Sequence, residues 1–447
     1  MHLHTNRQNP FAHFSRFSLS MLALAGLLAG CEVSVLPDPG SSVGVGSTGG
    51  TQTTTPGAGN STSRSSTFAT ASVKVIPETN VVTFEGRLDD LSDIAVFDLG
   101  PADPGDRITI ELAGHNGLNT VAALFNGNDD LIDASDDRSY YGGQLDPYMS
   151  RVIRHKTTNL FLGVAISSSQ HFASTQGRFA PGTFTVTARR QPGQQVQAPR
   201  QQVVWMDFEG GASVQIGLEP NVTMRAFSAE SISARHSGKT DYMIDLIIDH
   251  MKKDFANYDV VLLDSRHNTK PTGQFTKLYF GNYNSAYLGL ADNVDTFNTY
   301  LDQEAIIYTE DMAMFENLFP STEEVALAIA NVGSHELGHL LGLEHSADPN
   351  DCMATAASAR QILETDAAFI RSAPQADVFP TGFQNGPQLL MWNVGLNANL
   401  EARAVRMDEW IPVQTKADWR DREGLADIEI SMCGGCVHHS HDDDDAE

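Results

Sequence analysis

Cysteine is scarce in this chain, four residues in 447, which rules out a disulfide-stapled scaffold and leaves packed cores to hold the fold. Basic residues are scarce too. Lys and Arg total 29 against 56 Asp and Glu, a formal net charge of -27. That balance argues against nucleic acid as a partner and against electrostatic attachment to anionic lipid. It suits a solvated extracytoplasmic protein that binds divalent cations. The apolar stretch near the N-terminus, Leu19 to Leu28, is too brief to span a bilayer as a stable anchor. What remains is ordinary globular composition, 41% hydrophobic and 19% charged, over a length sufficient for two or three domains with sizeable cores.

The densest chemical information lies in His335-Glu336-Leu337-Gly338-His339-Leu340-Leu341-Gly342-Leu343-Glu344-His345. Before it, Ser321 to Glu324 reads as a capping box with Pro320 just outside, and Val325, Ala328, Ile329 and Val332 recur at helical spacing. A helix from about 322 to 341 puts His335 and His339 one turn apart on one face, so both imidazoles reach one zinc ion at roughly 2.0–2.1 Å. Gly342 can take the left-handed conformation that ends a helix, which lets His345 approach as a third ligand. A fourth position is left for water, whose pKa such a site lowers toward about 7. Glu336, beside the first ligand, is placed to take the proton as hydroxide attacks a carbonyl. All five positions of this pattern match by chance only on the order of once in 10,000 such chains.

His335, Glu336, His339, Gly342 and His345 form the H-E-x-x-H-x-x-G-x-x-H pattern, and on it the chain resembles the metzincin zinc endopeptidases. Met353, after a short polar loop, stands where that clan sets a methionine beneath the ligands. Ser346 and the Asp348-Pro349 step are most similar to the matrixin branch. The resemblance implies a zincin-like α+β catalytic domain, a Zn2+ cofactor held by His335, His339 and His345, Glu336 as catalytic base, and a protein or peptide substrate. No pro-segment with a matrixin-like cysteine switch is found.

Residues 1–31 read as a signal peptide, with Arg7 and Arg16 ahead of the apolar stretch. Leu28-Ala29-Gly30-Cys31 resembles the lipobox of bacterial lipoproteins, which implies acylation of Cys31 and a membrane partner through that lipid; Glu32 then favours the outer membrane or cell surface. An ordinary secretory signal cut near Ala29 is the other reading. Residues 32–75 read as a Gly/Ser/Thr tether unable to bury enough surface to fold. Residues 76–190 carry short alternating runs such as 108–112, 121–125, 160–164 and 183–187, separated by turn residues at the spacing of an all-β sandwich. The order of Asp93 to Phe97, the Asn126-Gly127-Asn128-Asp129 turn, Asp136-Asp137 and Pro181 to Val186 resembles bacterial pre-peptidase C-terminal domains. Its acidic loop (Asp129, Asp130, Asp133, Asp136 and Asp137) reads either as a Ca2+ site or as a solvated turn.

Residues 191–202 form a linker, and 203–372 the catalytic domain. Expected strands lie at 203–208, 258–263, 277–280 and 305–308, and a helix at 242–255. The resemblance makes Leu288 to Ala291 the edge strand that pairs with extended substrate, and makes 356–370 a closing helix. Residues 373–430 form an extension without a legible motif. In the tail, 431–447, Cys433, Cys436, His438, His439 and His441 suit either a soft metal or a disordered segment, with a disulfide between neighbours or to Cys352. The fold expected is thus multidomain: a β-sandwich followed by an α+β metzincin-like domain. Two functions stand: a surface-tethered zinc endopeptidase, and a non-catalytic metal-binding or adhesive lipoprotein. The intact Glu336 favours the enzyme, because a site kept for binding alone has no need of a base. Oligomeric state and cleavage specificity are not legible.

Overall fold

The computed structural model describes residues 66–77, 80–138, 144–167, 181–217, 219–398 and 429–431. Cys31 and the cysteines and histidines of the tail lie outside them. Its first half is a β-sandwich. The strands are β1 (Ser72–Val73), β2 (Val81–Leu88), β3 (Ile94–Asp98), β4 (Arg107–Gly114), β5 (Thr120–Phe125), β6 (Leu131–Ser135), β7 (Tyr148–Val152), β8 (Phe161–Ile166) and β9 (Gly182–Gln191). They form a five-stranded sheet, β1-β3-β8-β5-β6, and a four-stranded sheet, β2-β9-β4-β7.

The two sheets differ in what they bury. In the four-stranded sheet the residues alternate, as β9 does from buried to half-buried, and the inward set (Ile108, Ile110, Leu112, Phe184, Val186 and Ala188) fills the space between the sheets. In the five-stranded sheet every residue of β5 and of β8 is buried. Ala122, Leu124, Leu162 and Val164 point into the sandwich, while Val121, Ala123, Phe125, Phe161 and Ala165 point outward into a second cluster. Runs such as Val121-Ala-Ala-Leu-Phe125, expected as alternating, are thus continuous apolar runs, which is how a sheet covered on both faces reads. Part of the cover is Phe68, 1% exposed. Residues 66–75, assigned by composition to the tether, instead supply a helical turn (Ser66–Ala69) and β1, which pairs with β3 in parallel. The rest of the cover, Val378 and Phe379, comes from beyond the catalytic helices.

The second half is an α/β layer. Strands β10 (Gln202–Asp207), the small hairpin β11 (Ser213–Val214) and β12 (Val222–Thr223), β13 (Val260–Asp264), β14 (Thr276–Gly281), β15 (Gly289–Ala291) and β16 (Glu304–Tyr308) follow in order. The main sheet runs β13-β10-β14-β16-β15, parallel throughout except β15, which is antiparallel to β16 and lies at the edge. Helix α1 (Thr240–Asp254) buries Met243, Ile244, Ile247, Ile248 and Met251 on one face. These pack in one cluster with Val325, Ala328, Ile329 and Val332 of α2 (Thr322–Leu340) and with the sheet.

The closing segment departs from expectation. Ala356–Ser358 is extended and pairs with Glu429–Ser431, and the helix that follows spans only Ala359–Glu364. Its end is fixed from outside: Asn331 of α2 donates Nδ2 to the carbonyls of Ile362 and Thr365 and accepts from the Ala367 amide. Backbone groups satisfied by a buried side chain need no further helical turn. A last helix, α3 (Gly386–Val394), contains the Leu389-Leu390-Met391-Trp392 run, with Pro387 in its first turn.

Candidate metal centre

The site helix starts where its capping box sits. Ser321 Oγ accepts from the Glu324 amide at 3.1 Å, and the Glu324 carboxylate accepts from the Ser321 amide at 2.6 Å. At the other end Gly342 has φ +92°, and its amide donates to the His339 carbonyl while Leu343 donates to Gly338. That reversal brings the chain back so that His345 faces the helix.

His335, His339 and His345 come together. Each offers one ring nitrogen, the three atoms lie within 4.8 Å of one another, and all three residues are buried. Nε2 of His335 and of His339 are 3.1 Å apart. Tetrahedral nitrogen ligands at roughly 2.0–2.1 Å from zinc would sit about 3.3–3.4 Å apart. The partners of the far ring nitrogens fit the same purpose. His335 Nδ1 lies 2.8 Å from the Cys352 carbonyl, and His339 Nδ1 lies 2.8 Å from the Leu343 carbonyl. A carbonyl can only accept, so each Nδ1 carries the proton and each Nε2 presents a lone pair. Burial, with the neighbouring His345 ring, holds His335 down to about 3, so it is a neutral imidazole at physiological pH. Three imidazole nitrogens in this geometry are a donor set that fits Zn2+. Among the described residues no other group of three or more His, Cys, Asp or Glu converges in this way.

Glu336 is fully buried beside the first ligand. Edge strand β15 approaches it so closely that a Cβ on Gly289 would collide with its carboxylate, which would have to shift for any other residue to stand there. Neither the role of Gly289 nor its contact was legible beforehand, because the approach is made between residues 47 positions apart in sequence. Met353 packs against the helix between the first two histidines, where a Cβ on Gly338 would meet its sulfur. Cys352 is a free, buried thiol whose pKa burial pushes well up, so it stays protonated and uncharged.

The acidic loop is organised differently. Asp130 pairs with Arg371 at 2.6 Å, Asp133 pairs with Arg151 at 2.9 Å, and Asp136 accepts from Ser167 Oγ at 3.1 Å. These three carboxylates are directed to separate partners.

Residues 279–371 match the matrixin family model, and the three histidines fit a metzincin zinc site. Together they mark this part of the chain as a zinc metallopeptidase domain. No curated protein matches the chain. Among solved structures, the chain is similar to archaemetzincin from Methanopyrus kandleri (14% identity, 38% of this chain and 89% of that one, TM-score 0.22). It is also similar to the pre-peptidase C-terminal domain of collagenase from Bacillus anthracis (13% identity, 27% and 96%, TM-score 0.19). A periplasmic inhibitor of g-type lysozyme from Aeromonas hydrophila matches at 12% identity over 27% and 96%, with TM-score 0.21.

Proposed function

We propose that this chain is a zinc-dependent endopeptidase that hydrolyses peptide bonds of extracytoplasmic proteins, with Glu336 as general base. The observation that carries the reading is the convergence of His335, His339 and His345 next to a buried glutamate that lies against an edge strand. His335, His339 and His345 would hold a zinc ion, which would supply Lewis acidity to polarise a carbonyl and lower the pKa of a bound water. The chain's own residues do the rest. The β15 edge, which has no strand partner on its outer side among the described residues, offers backbone groups to an extended peptide and aligns the scissile bond. Glu336 takes the proton from water as oxygen bonds to the carbonyl carbon. It then returns a proton to the amide nitrogen, and the C–N bond breaks with a neutral amine as leaving group.

Replacing Glu336 by Gln keeps the size of the side chain and removes the base. Cleavage of a peptide library should fall by about 100- to 10,000-fold, with zinc content by elemental analysis unchanged. Equal cleavage by parent and variant would defeat the mechanism, and cleavage by neither would favour the metal-binding or adhesive alternative. The lipobox-like stretch supports attachment to the cell envelope through Cys31; Cys31→Ser should abolish acylation and move the protein from membrane to soluble fractions. Unchanged partition would leave a plain secretory signal.

A further inference from the structure

The segment from Arg371 to Asn385 belongs to neither half alone. Residues near both of its ends brace the loop that carries the third histidine. Gln384, fully buried, donates Nε2 to the Glu344 carbonyl at 2.7 Å and accepts from the Glu344 amide on Oε1 at 2.7 Å. This is the two-bond clasp one strand residue makes to another, supplied by a side chain. One residue on, the Gln375 amide donates to the His345 carbonyl at 2.9 Å, and the Ala347 amide donates to Ala373 at 2.9 Å. Glu344, His345 and Ala347 are thus all held from the same segment. Ser372 Oγ also donates to Asp351, whose carboxylate accepts from the Met353 amide.

Interleaved with these, other residues of the segment belong to the sandwich. Phe379 is fully buried in the outer cluster of the five-stranded sheet, 5.4 Å from Phe125 between ring centroids. Phe383 exchanges backbone hydrogen bonds with the acidic loop: Leu131 donates to its carbonyl at 2.7 Å and it donates to Asp129 at 2.9 Å. Arg371 reaches the Asp130 carboxylate at 2.6 Å and the Asn128 carbonyl at 2.9 Å, and lies over the Phe383 ring.

Building on the zinc-site reading, we infer that residues 371–385 are a strap through which the β-sandwich positions the third ligand, with Gln384 and Phe379 as positioning residues. His345 is the one ligand outside α2, so its placement depends on what holds its loop. A ligand loop left to fluctuate must be ordered when the metal binds, and that ordering weakens affinity. The β-sandwich is then a working part of the metal centre rather than a spacer.

The test reads zinc affinity of the full chain by competition with a chromophoric chelator, with the His339→Ala protein as the blank for metal held elsewhere. Gln384→Ala, Phe379→Leu and, as a milder cut at the same junction, Arg371→Gln are compared with Phe184→Leu. Phe184 fills the inner core between the two sheets, so its substitution costs the sandwich stability without touching the strap. We expect zinc affinity to fall by about tenfold or more in Gln384→Ala and Phe379→Leu, with a smaller loss in Arg371→Gln. The cobalt-substituted absorption spectrum should change in the same variants, and Phe184→Leu should match the parent in both readouts. Unchanged affinity in Phe379→Leu and Arg371→Gln overturns the inference, as does an equal loss in Phe184→Leu, which a merely structural role would produce. Hydrogen exchange at the Ala347 and Gln375 amides in metal-free protein reads the same coupling without zinc. If the parent binds no zinc above the blank, the peptidase reading fails, while faster exchange in Phe379→Leu, or its absence, still decides the strap.

Discussion

Two stretches among the described residues are crowded with side chains that bind cations, and in only one of them do the ligand atoms converge. The acidic loop offers five aspartates between residues 129 and 137, more than the three histidines of the helix and its return. In the loop Asp130 and Asp133 face arginines and Asp136 faces a serine, each in its own direction. In the triad the backbone carbonyls of Cys352 and Leu343 fix the far nitrogens of two rings, and the near nitrogens converge. The number of ligand-type residues is therefore a poor guide. A site needs donors aimed at one point by groups that hold them there.

The sharpest way to break this contrast is His339→Ala. Loss of one of three protein ligands should remove essentially all zinc from the helix site and with it peptide cleavage, as read by elemental analysis of protein shortened to end at Ser431. Full zinc in that variant would place the metal elsewhere. On the other side of the comparison, Asp133→Asn removes one partner of a largely buried ion pair. It should lower unfolding stability by about 1–3 kcal/mol in a denaturant titration and leave metal content as it was. A loss of bound metal would make the acidic loop a site after all.

The smallest effect expected concerns Asp311, a carboxylate 1% exposed that accepts from the Asn284 amide. Burial first, and then the charge of Glu310, push its pKa up to about 7. A raised carboxyl pKa means the folded state holds the proton more tightly. Its contribution is complete below the unfolded value of about 4 and is lost as pH rises through about 7. Asp311→Asn keeps the acceptor for Asn284 and abolishes the titration. Relative to the parent, its thermal midpoint should rise on going from pH 5 to pH 8. Parallel pH curves for the two proteins would contradict this assignment.

How much of this was legible in the sequence follows from how local each cause is. The capping box at Ser321, the helical recurrence of Val325 to Val332 and the left-handed turn at Gly342 depend on neighbours within a few residues, so the helix that carries the triad could be drawn from letters. The strands of the catalytic sheet were legible for the same reason, within two residues at their ends. The closing helix was overdrawn because its stop comes from Asn331, more than 30 residues away. Residues 373–385 carried no signal, since Gln384 and Phe379 act on partners 40 and more than 200 residues distant. One sign was present and read too simply. Continuous apolar runs in β5 and β8 already imply a sheet buried on both faces, and so a cover from elsewhere in the chain.

The central claim, that the three histidines hold zinc and the cysteines do not, is tested most directly by X-ray absorption at the zinc edge on full-length protein loaded with one equivalent of metal. The account predicts a shell of nitrogen and oxygen only, at about 2.0–2.1 Å, with the multiple-scattering pattern of three imidazoles. Sulfur scattering at about 2.3 Å would contradict it, because that distance belongs to a thiolate and would put the zinc in the tail.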